Sequence, residues 1–515
     1  MNSGTGKAVA SLRFVWLGLG VALLLVANGR WMLPLASWFC AIGWLVFLER
    51  SRRLFGLAVA LVAYVLVYFV VWQGIIPAPG VLYYLIAALY AVVFFLPFVA
   101  HRLVASRIAG FGATLVLPTA WVSAEFLFSR WGTPYGSWTS LAYTQSEHLL
   151  LLQLTSVTGI AGVTFMMTWF GSIVAWMLRP GLAASQRLRG GAAFAVVLIA
   201  ILSFGQVRLV QDGSGARFRT ASLMPASEAL AALEQSLSPV RRGEAISDST
   251  MTAIAAAADR LNNDLFERTL REAKAGARLV TWSETASRVL ASEEQQFIDR
   301  ARRLAAEQQV ILLLGVGVWR PETVPPFENK VIAIDAAGSF VWEFHKAHPI
   351  IGAESPFIAA GTGQVRAFEA DFGKVGAVIC HDLDFARLIR QASAERIGLL
   401  VAPSADWRDV ADLHARMAVF RAVENGVNML RPTSGGRSVA FDTRGRVIAR
   451  LDFPDDAMVA HVSAVPVRTV YGMVGDLFSW LCVLAFAVLF LAVVSGRAGA
   501  LAAQPDVVTA SPEGV

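Results

Sequence analysis

Apolar residues in this chain gather into stretches long enough to cross a bilayer, and that property excludes an ordinary soluble fold. A membrane-spanning helix needs roughly 20 consecutive, mostly apolar residues. Eight such stretches are read near residues 14–28, 31–48, 54–73, 81–100, 108–128, 158–178, 191–209 and 475–495. The composition agrees. Of 515 residues, 56% are hydrophobic and 16% charged, with a mean hydropathy of +0.56, too apolar for a soluble protein of this size. The first stretch is the shortest and follows Lys7 and Arg13, as the apolar core of a signal peptide would. A second stretch only a few residues later favours an uncleaved anchor.

The formal net charge of +6 does not point to nucleic acid, because of where the basic residues lie. Alternate loops carry Lys7 and Arg13, then Arg50, Arg52 and Arg53, then Arg102 and Arg107, then Arg179, Arg187 and Arg189. The intervening loops carry only Arg30 and Arg130. Lys and Arg concentrate in cytoplasmic loops of membrane proteins. The alternation therefore predicts a cytoplasmic N-terminus, seven transmembrane helices within 1–210 and an extracytoplasmic domain at 211–470. A C-terminal transmembrane helix at 471–497 returns Arg497 to the cytoplasm, and the small, polar tail at 498–515 is expected to be disordered.

Residues 211–470 read as one α/β domain of ordinary size. Strands are predicted over 218–225, 278–284, 310–319 and 399–403, and helices over 248–275, 293–308, 385–395 and 413–425. Hairpins are predicted around Ala336-Ala337-Gly338-Ser339 and Asp371-Phe372-Gly373, and a final β region over 427–453. Mixed hairpins and helices predict layered sheets flanked by helices. No internal repeat is found.

Three cysteines, Cys40, Cys380 and Cys482, cannot form a disulfide framework. Cys40 and Cys482 fall inside predicted spans. Cys380 ends the apolar run 374–380 where polar residues begin, a place for either a buried small hydrophobe or a reactive thiol. Side chains alternate faces along a strand. By that parity Glu284 shares a face with Val280 and Trp282, and Lys346 with Phe340, Trp342 and Phe344. Each charge alone could be an ordinary strand end in solvent. Both, beside a strand-end cysteine, supply what thiol chemistry needs: a base to make the thiolate, and a cation that stabilises it and a developing oxyanion.

Trp282-Ser283-Glu284-Thr285, Phe344-His345-Lys346-Ala347-His348 and Val378-Ile379-Cys380-His381-Asp382 resemble the three signatures of the nitrilase, or carbon–nitrogen hydrolase, superfamily. The resemblance implies a nitrilase-like αββα sandwich with Glu284 as general base, Lys346 as oxyanion support and Cys380 as nucleophile. Glu354, eight residues after the lysine, matches a further acidic residue that positions the site, and His381 and Asp382 stand beside the nucleophile as supporting residues. An α-helical bundle of about eight transmembrane helices, with this domain inserted before the last, resembles the apolipoprotein N-acyltransferase family, the membrane branch of the superfamily. Tyr135-Gly136-Ser137-Trp138, Gly159-Ile160-Ala161-Gly162 and Tyr471-Gly472-Met473-Val474-Gly475-Asp476 resemble that family's loops outside the hydrolase domain.

The family resemblance implies an enzyme of the bacterial inner membrane with its catalytic domain on the periplasmic side. Its acyl donor is a phospholipid and its acceptor the diacylglyceryl-cysteine of a lipoprotein. A cysteine thioester is the intermediate, and no cofactor is implied. The chain is a divergent member. Ser283 stands where the family has proline, and His381-Asp382 where it has tyrosine and glutamate. Leu383-Asp384-Phe385 is closer to soluble amidases, and Pro403-Ser404-Ala405-Asp406-Trp407 stands where the family has Ser-Asn-Asp-Ala-Trp. A membrane-tethered amidase and a non-catalytic scaffold are therefore the alternative readings.

Other patterns carry less. His345 and His348 do not have recognised zinc spacing, so no metal is expected. Gly4-Thr5-Gly6-Lys7 is too short for a phosphate loop. No Gly-x-Ser-x-Gly elbow occurs, which argues against a serine lipase. The apolar segment 350–358, directly after Lys346, is either core or a lid that dips into the bilayer.

Overall fold

A computed structural model describes residues 3–211, 215–241, 247–453 and 456–496. Arg497 and the expected tail at 498–515 lie outside the described residues. All eight expected apolar stretches form helices. Six have the length and composition to cross a membrane: Arg53–Val71, Gly80–Arg107, Gly110–Gly132, Ile160–Met177, Ala184–Val210 and Leu477–Val494. The first two stretches give the shorter apolar helices Leu12–Leu25 and Pro34–Glu49. Pro34 at the first turn costs that helix no hydrogen bond. Gly43 lets the two short helices touch, because a Cβ there would come within 2.5 Å of Gly20 N and Trp16 O. Helices Ala184–Val210 and Leu477–Val494 leave rows of large apolar side chains exposed, including Val196, Ile199, Leu484 and Leu491. Such faces suit hydrocarbon and not water.

The loops between these helices sort into two groups. Those holding Arg30, Gly74 and Ser137 touch the α/β domain, through Arg30 to Asp409 (3.3 Å), Trp407 Nε1 to Gly74 O (2.7 Å) and Ser137 Oγ to Asp384 O (3.0 Å). At the opposite ends of the helices, Glu49 and His101 in last turns and Arg179 in the loop after Ile160–Met177 touch one another, with Arg179 2.6 Å and His101 3.9 Å from the Glu49 carboxylate. This is the same alternation that the loop charges show.

The α/β domain has two sheets. One holds Ala457–Val462, Phe218–Leu223, Leu279–Trp282, Ile311–Trp319, Phe327–Ile334 and Phe340–His345 in spatial order, with Ser287–Leu290 paired to Ile311–Trp319. The other holds Val447–Asp452, Arg437–Phe441, Asn428–Arg431, Leu399–Val401, Gly373–Ala377 and Arg366–Ala370. Alternation along the strands divides the core. Val280, Trp282, Leu312 and Leu314 pack under helices Asp248–Lys274 and Glu294–Gln308, beside Leu265, Phe266 and Phe297. Leu279, Leu313, Val331 and Phe344 point to the other sheet and share a core with Val375, Ala377 and Leu400. Helices Ala386–Ala394 and Ala411–Asn425 belong to the second sheet's side. The result is the expected αββα sandwich.

Among the elements that go beyond the sequence reading are Ser227–Ser236, Ser287–Leu290 and Ala457–Val462. The last alternates, with Met458, Ala460 and Val462 buried, and pairs antiparallel with Phe218–Leu223. The domain's first and last strands are therefore neighbours, and the chain enters and leaves at one edge, beside the helices that precede and follow it.

Candidate active site

Glu284 follows strand Leu279–Trp282, but the strand's parity does not carry through to it. Trp282 faces the helical layer, where Nε1 donates to Thr269 Oγ1 at 2.9 Å. Thr285 takes the left-handed backbone (φ 45°), and the Glu284 carboxylate lies instead among groups between the sheets. The expectation that Glu284 shares the face of Val280 and Trp282 is corrected: the strand ends at Trp282, and the backbone path over 283–285 leaves its alternation. Gly315 permits it, since a Cβ there would sit 2.0 Å from Ser283 O. Glu284 is 3% exposed and fully engaged. Oε1 accepts from Lys346 Nζ (2.8 Å) and Asn329 Nδ2 (2.7 Å), and Oε2 accepts from the Ala405 amide (2.8 Å).

Lys346 stands one residue beyond strand Phe340–His345, on the same side as Trp342 and Phe344, as parity predicts. Its amide donates to Asn329 O at 2.9 Å. The ammonium is wholly buried between Glu284 and both oxygens of Glu354, at 2.8 and 2.7 Å. Burial alone would lower its pKa. The two carboxylates outweigh that and hold the ammonium well above its usual value. Glu354 also accepts the Ile350 amide at 2.8 Å, so it pins the start of the 350–358 loop to the lysine. In that loop Ile350 is buried while Ile351 and Phe357 are exposed.

Cys380 lies three residues past strand Gly373–Ala377, at the head of the short turn Cys380–Asp384. Its φ of 47° is rare for a residue with a Cβ, and such strain persists where the surroundings fix it. Its amide donates to Pro403 O at 2.9 Å, and Sγ is 3.9 Å from Ala405 O. Ala405 thus links the two groups: its N–H holds Glu284 and its carbonyl borders the sulfur. Asp382 fixes the turn. It accepts from the amides of Ile379 (3.1 Å), Ala347 (3.3 Å) and His348 (2.9 Å) and from His348 Nδ1 (3.0 Å). The shorter acid at this position therefore ties the cysteine turn to the residues after Lys346. Burial, and then the Glu284 carboxylate, push the Cys380 thiol well above its usual range, against the pull of Lys346. A resting neutral thiol beside a carboxylate and an ammonium can be deprotonated as it attacks a carbonyl, with the oxyanion opposite the cation.

The structure thus brings Glu284, Lys346, Glu354, Cys380 and Asp382 together. His381 turns away. Its Nδ1 donates to Asp384 Oδ2 and its Nε2 lies 3.3 Å from Pro134 O. It joins a second buried cluster that the motifs do not reveal. Trp138 Nε1 donates to Asp384 Oδ2 at 2.6 Å, and His414 Nε2 is 3.6 Å from the same oxygen. His414 Nδ1 donates to Asp406 at 2.9 Å, and Arg431 Nη2 donates to both Asp406 oxygens at 2.8 and 3.0 Å. Burial would raise Asp406, but Arg431 and His414 bring its pKa down to about 2. One polar atom each of Cys380, Asp406 and His414 lies within 4.8 Å of the others, and His381, Asp384 and His414 form a similar group. Both acids already accept from protein donors. Asn329 also lies outside the motifs, although it continues the apolar face of Val331 and Ala333 with a polar residue. That is the available signal.

A cavity of about 540 Å³ opens onto Glu284, Asn329, Glu354 and Ala405. Its remaining wall includes the apolar side chains of Leu233, Ile254, Val289, Trp319 and Phe357.

Residues 17–173 match the N-terminal domain of apolipoprotein N-acyltransferase, and residues 239–469 match the carbon-nitrogen hydrolase family. The apolipoprotein N-acyltransferase of Geobacter metallireducens is 26% identical over 409 residues, covering 74% of each chain. That of Rhizobium rhizogenes is 25% identical over 395 residues, 70% of this chain and 68% of the relative. Among solved structures, an amidase from Nesterenkonia sp. aligns with 49% of this chain and 92% of its own, at 16% identity and a TM-score of 0.38. Apolar helices and sandwich match the two parts of one family, in order and over most of the chain, and the protein belongs to the apolipoprotein N-acyltransferase family.

Proposed function

We propose that this enzyme moves an acyl chain from a phospholipid to the α-amino group of a lipoprotein's diacylglyceryl-cysteine, through a thioester on Cys380. The observation that carries the proposal is the buried Glu284 carboxylate, shared between Lys346 Nζ and the Ala405 amide, beside the left-handed Cys380 turn. Glu284 takes the Sγ proton as sulfur attacks the ester carbonyl. Lys346 and a backbone N–H hold the tetrahedral oxyanion. Collapse breaks the ester C–O bond, and the departing lysophospholipid alkoxide takes the proton from Glu284. In the second half the amine attacks the thioester, Glu284 accepts a proton from nitrogen, and the C–S bond breaks. The proton then returns to the Cys380 thiolate. The two halves share one covalent intermediate and follow ping-pong kinetics. The apolar cavity beside Glu284 takes the acyl chain.

The loop charges support a placement in the bacterial inner membrane with both termini cytoplasmic, the domain at 211–470 outside and helices at 1–210 and 471–497 across the bilayer. The sorting of loops into two contact groups fits that placement. The test is to incubate the protein with a phospholipid labelled in its acyl chain, then add a diacylglyceryl peptide. Label on Cys380 that passes to the peptide amine is expected. Release of free fatty acid with no peptide product would replace this reading with that of a tethered amidase-type hydrolase.

A further inference from the structure

A second cavity, of about 490 Å³, lies where the α/β domain meets the helices Val116–Leu127, Ile160–Met177 and Leu477–Val494. Glu284, Lys346 and Cys380 do not line it. On its membrane side the wall is made by Val122, Phe126, Ala161 and Ser479, and on its domain side by Arg387 and Leu388 of helix Ala386–Ala394. Two exposed tryptophans, Trp131 and Trp480, stand 6.1 Å apart beside the same helix ends. Paired exposed tryptophans at the ends of apolar helices mark the bilayer–water boundary. The cavity therefore straddles that boundary, with apolar wall below and arginine above.

Three arginines, Arg130, Arg387 and Arg421, and three acids line it, and they differ in how far their hydrogen bonds are met. The acids that line it are occupied: Glu125 accepts from Thr164 (3.2 Å), Asp384 from Trp138 and Asp476 from the Tyr471 hydroxyl (2.9 Å). Arg421 is tied to Glu424. Two cations remain. Arg387 is exposed and makes no hydrogen bond or ion pair among the described residues. Arg130 lies over the Trp131 ring (4.9 Å to its centroid), and its buried Nε has no acceptor. Its nearest acid, Asp476, is 3.7 Å away, beyond hydrogen-bond reach. Arg390, one turn after Arg387, packs onto Gly475, where a Cβ would meet its Nη1 at 1.6 Å. It adds positive charge without an acid partner. Guanidinium forks match phosphate oxygens in geometry and charge.

We propose that this cavity binds a membrane phospholipid, with its phosphodiester on Arg130 and Arg387 and its chains along Val122, Phe126 and Ala161. The lipid is a resident one that seats the α/β domain on the bilayer, and the site stands whether or not the acyl-transfer reading holds. The test uses the full-length protein in mixed micelles with phosphatidylglycerol carrying a photoactivatable group near its phosphate. Cross-links are expected in 126–131 and 385–391. Losing both guanidinium contacts (R130Q/R387Q) should cut them about tenfold or more, while R130K/R387K keeps part of them. Arg387→Gln alone, at an exposed and unpaired residue, should lower them without moving the thermal unfolding midpoint. Cys380→Ala should cross-link like the wild type, which separates this site from the acyl-transfer reading. Unchanged labelling in the double glutamine variant would overturn the proposal. So would equal labelling by a diacylglycerol bearing the same group. Displacement by millimolar inorganic phosphate would assign the site to free phosphate and sink the lipid.

Discussion

On one side of Cys380 lie Glu284, Lys346 and Glu354, and on the other Asp406, His414, Asp384 and His381. Both groups are buried and dense in charge, yet they are assembled differently. In the first, two carboxylates close on one ammonium, and every member comes from the α/β domain. In the second, two carboxylates take donors from histidine, Arg431 and Trp138, and Trp138 comes from the segment between two apolar helices. The first cluster can move a proton and bear an oxyanion. The second fixes the cysteine turn against the membrane-embedded part, because Asp384 closes that turn and accepts from Trp138. On the proposed function, one side serves chemistry and the other registration.

The largest effects are expected from breaking the first cluster. Cys380→Ala should leave no acyl-enzyme detectable by intact-protein mass spectrometry. Glu284→Gln keeps the shape but loses the base, and the rate of acyl-enzyme formation should fall by roughly 10²- to 10⁴-fold. If Glu284→Gln acylated at the wild-type rate, the proton would have another acceptor, and His414 of the second cluster would be the first to examine.

Removing the cation should strike stability as well. Lys346→Met leaves Glu284 and Glu354 facing each other without a partner, and breaking a buried ion pair in this way costs about 3–5 kcal/mol. A thermal unfolding midpoint equal to the wild type would show that the first cluster is not held by charge. On the other side, Trp138→Phe keeps the ring and deletes the donor to Asp384. Asp384 Oδ2 still accepts from His381 Nδ1, so the cost is that of one hydrogen bond to a charged group, about 1.5–3 kcal/mol. Protease sensitivity should rise at the junction of the two halves, with acyl-enzyme formation slowed and not abolished. A loss as complete as in Cys380→Ala would move Asp384 into the chemical cluster.

What is legible in the sequence follows the same division. Glu284, Lys346 and Cys380 end or follow strands in short motifs, so local pattern alone singles them out. Layered sheets flanked by helices follow from the hairpins and helices, while the αββα order is what the family resemblance implies. Parity fails at Glu284 because the regular strand ends at Trp282, a limit that Trp-Ser-Glu-Thr does not announce. His414 and Arg431 are out of reach for another reason. They sit in the first turn of helix Ala411–Asn425 and at the end of strand Asn428–Arg431, 34 and 51 positions after Cys380, and reach Asp406 only through the packing of the sheet. Trp138 is farther still, and nothing local says that its indole meets Asp384. The strand Ala457–Val462 escapes a local reading because its partner, Phe218–Leu223, begins the domain and is not the segment before it.

Acid and alkali should separate the two clusters. Asp406 has a folded pKa of about 2, below the roughly 3.9 of an unfolded aspartate. Its contribution is therefore present above about pH 3.9 and lost as pH falls toward 2, an effect of about 2 kcal/mol. Asp384 is lowered as well, against its burial, by His414 and His381, and it fades in the same window. Lys346 has the opposite sign: its pKa is raised, so its stabilisation is intact below about pH 10.4 and is lost as pH climbs beyond that. Cys380 is raised too, mainly by burial, and adds a loss that begins near the unfolded thiol value of about 8.5. Unfolding midpoints followed from about pH 2 to about pH 11 should therefore fall at both ends. Asp406→Asn should chiefly flatten the acid limb, with a smaller change at the alkaline end because its charge also raises the Cys380 thiol, and Cys380→Ala should shift the start of the alkaline limb. If Asp406→Asn altered the alkaline limb instead, the two clusters would be one coupled unit, and the division between chemistry and registration would not hold.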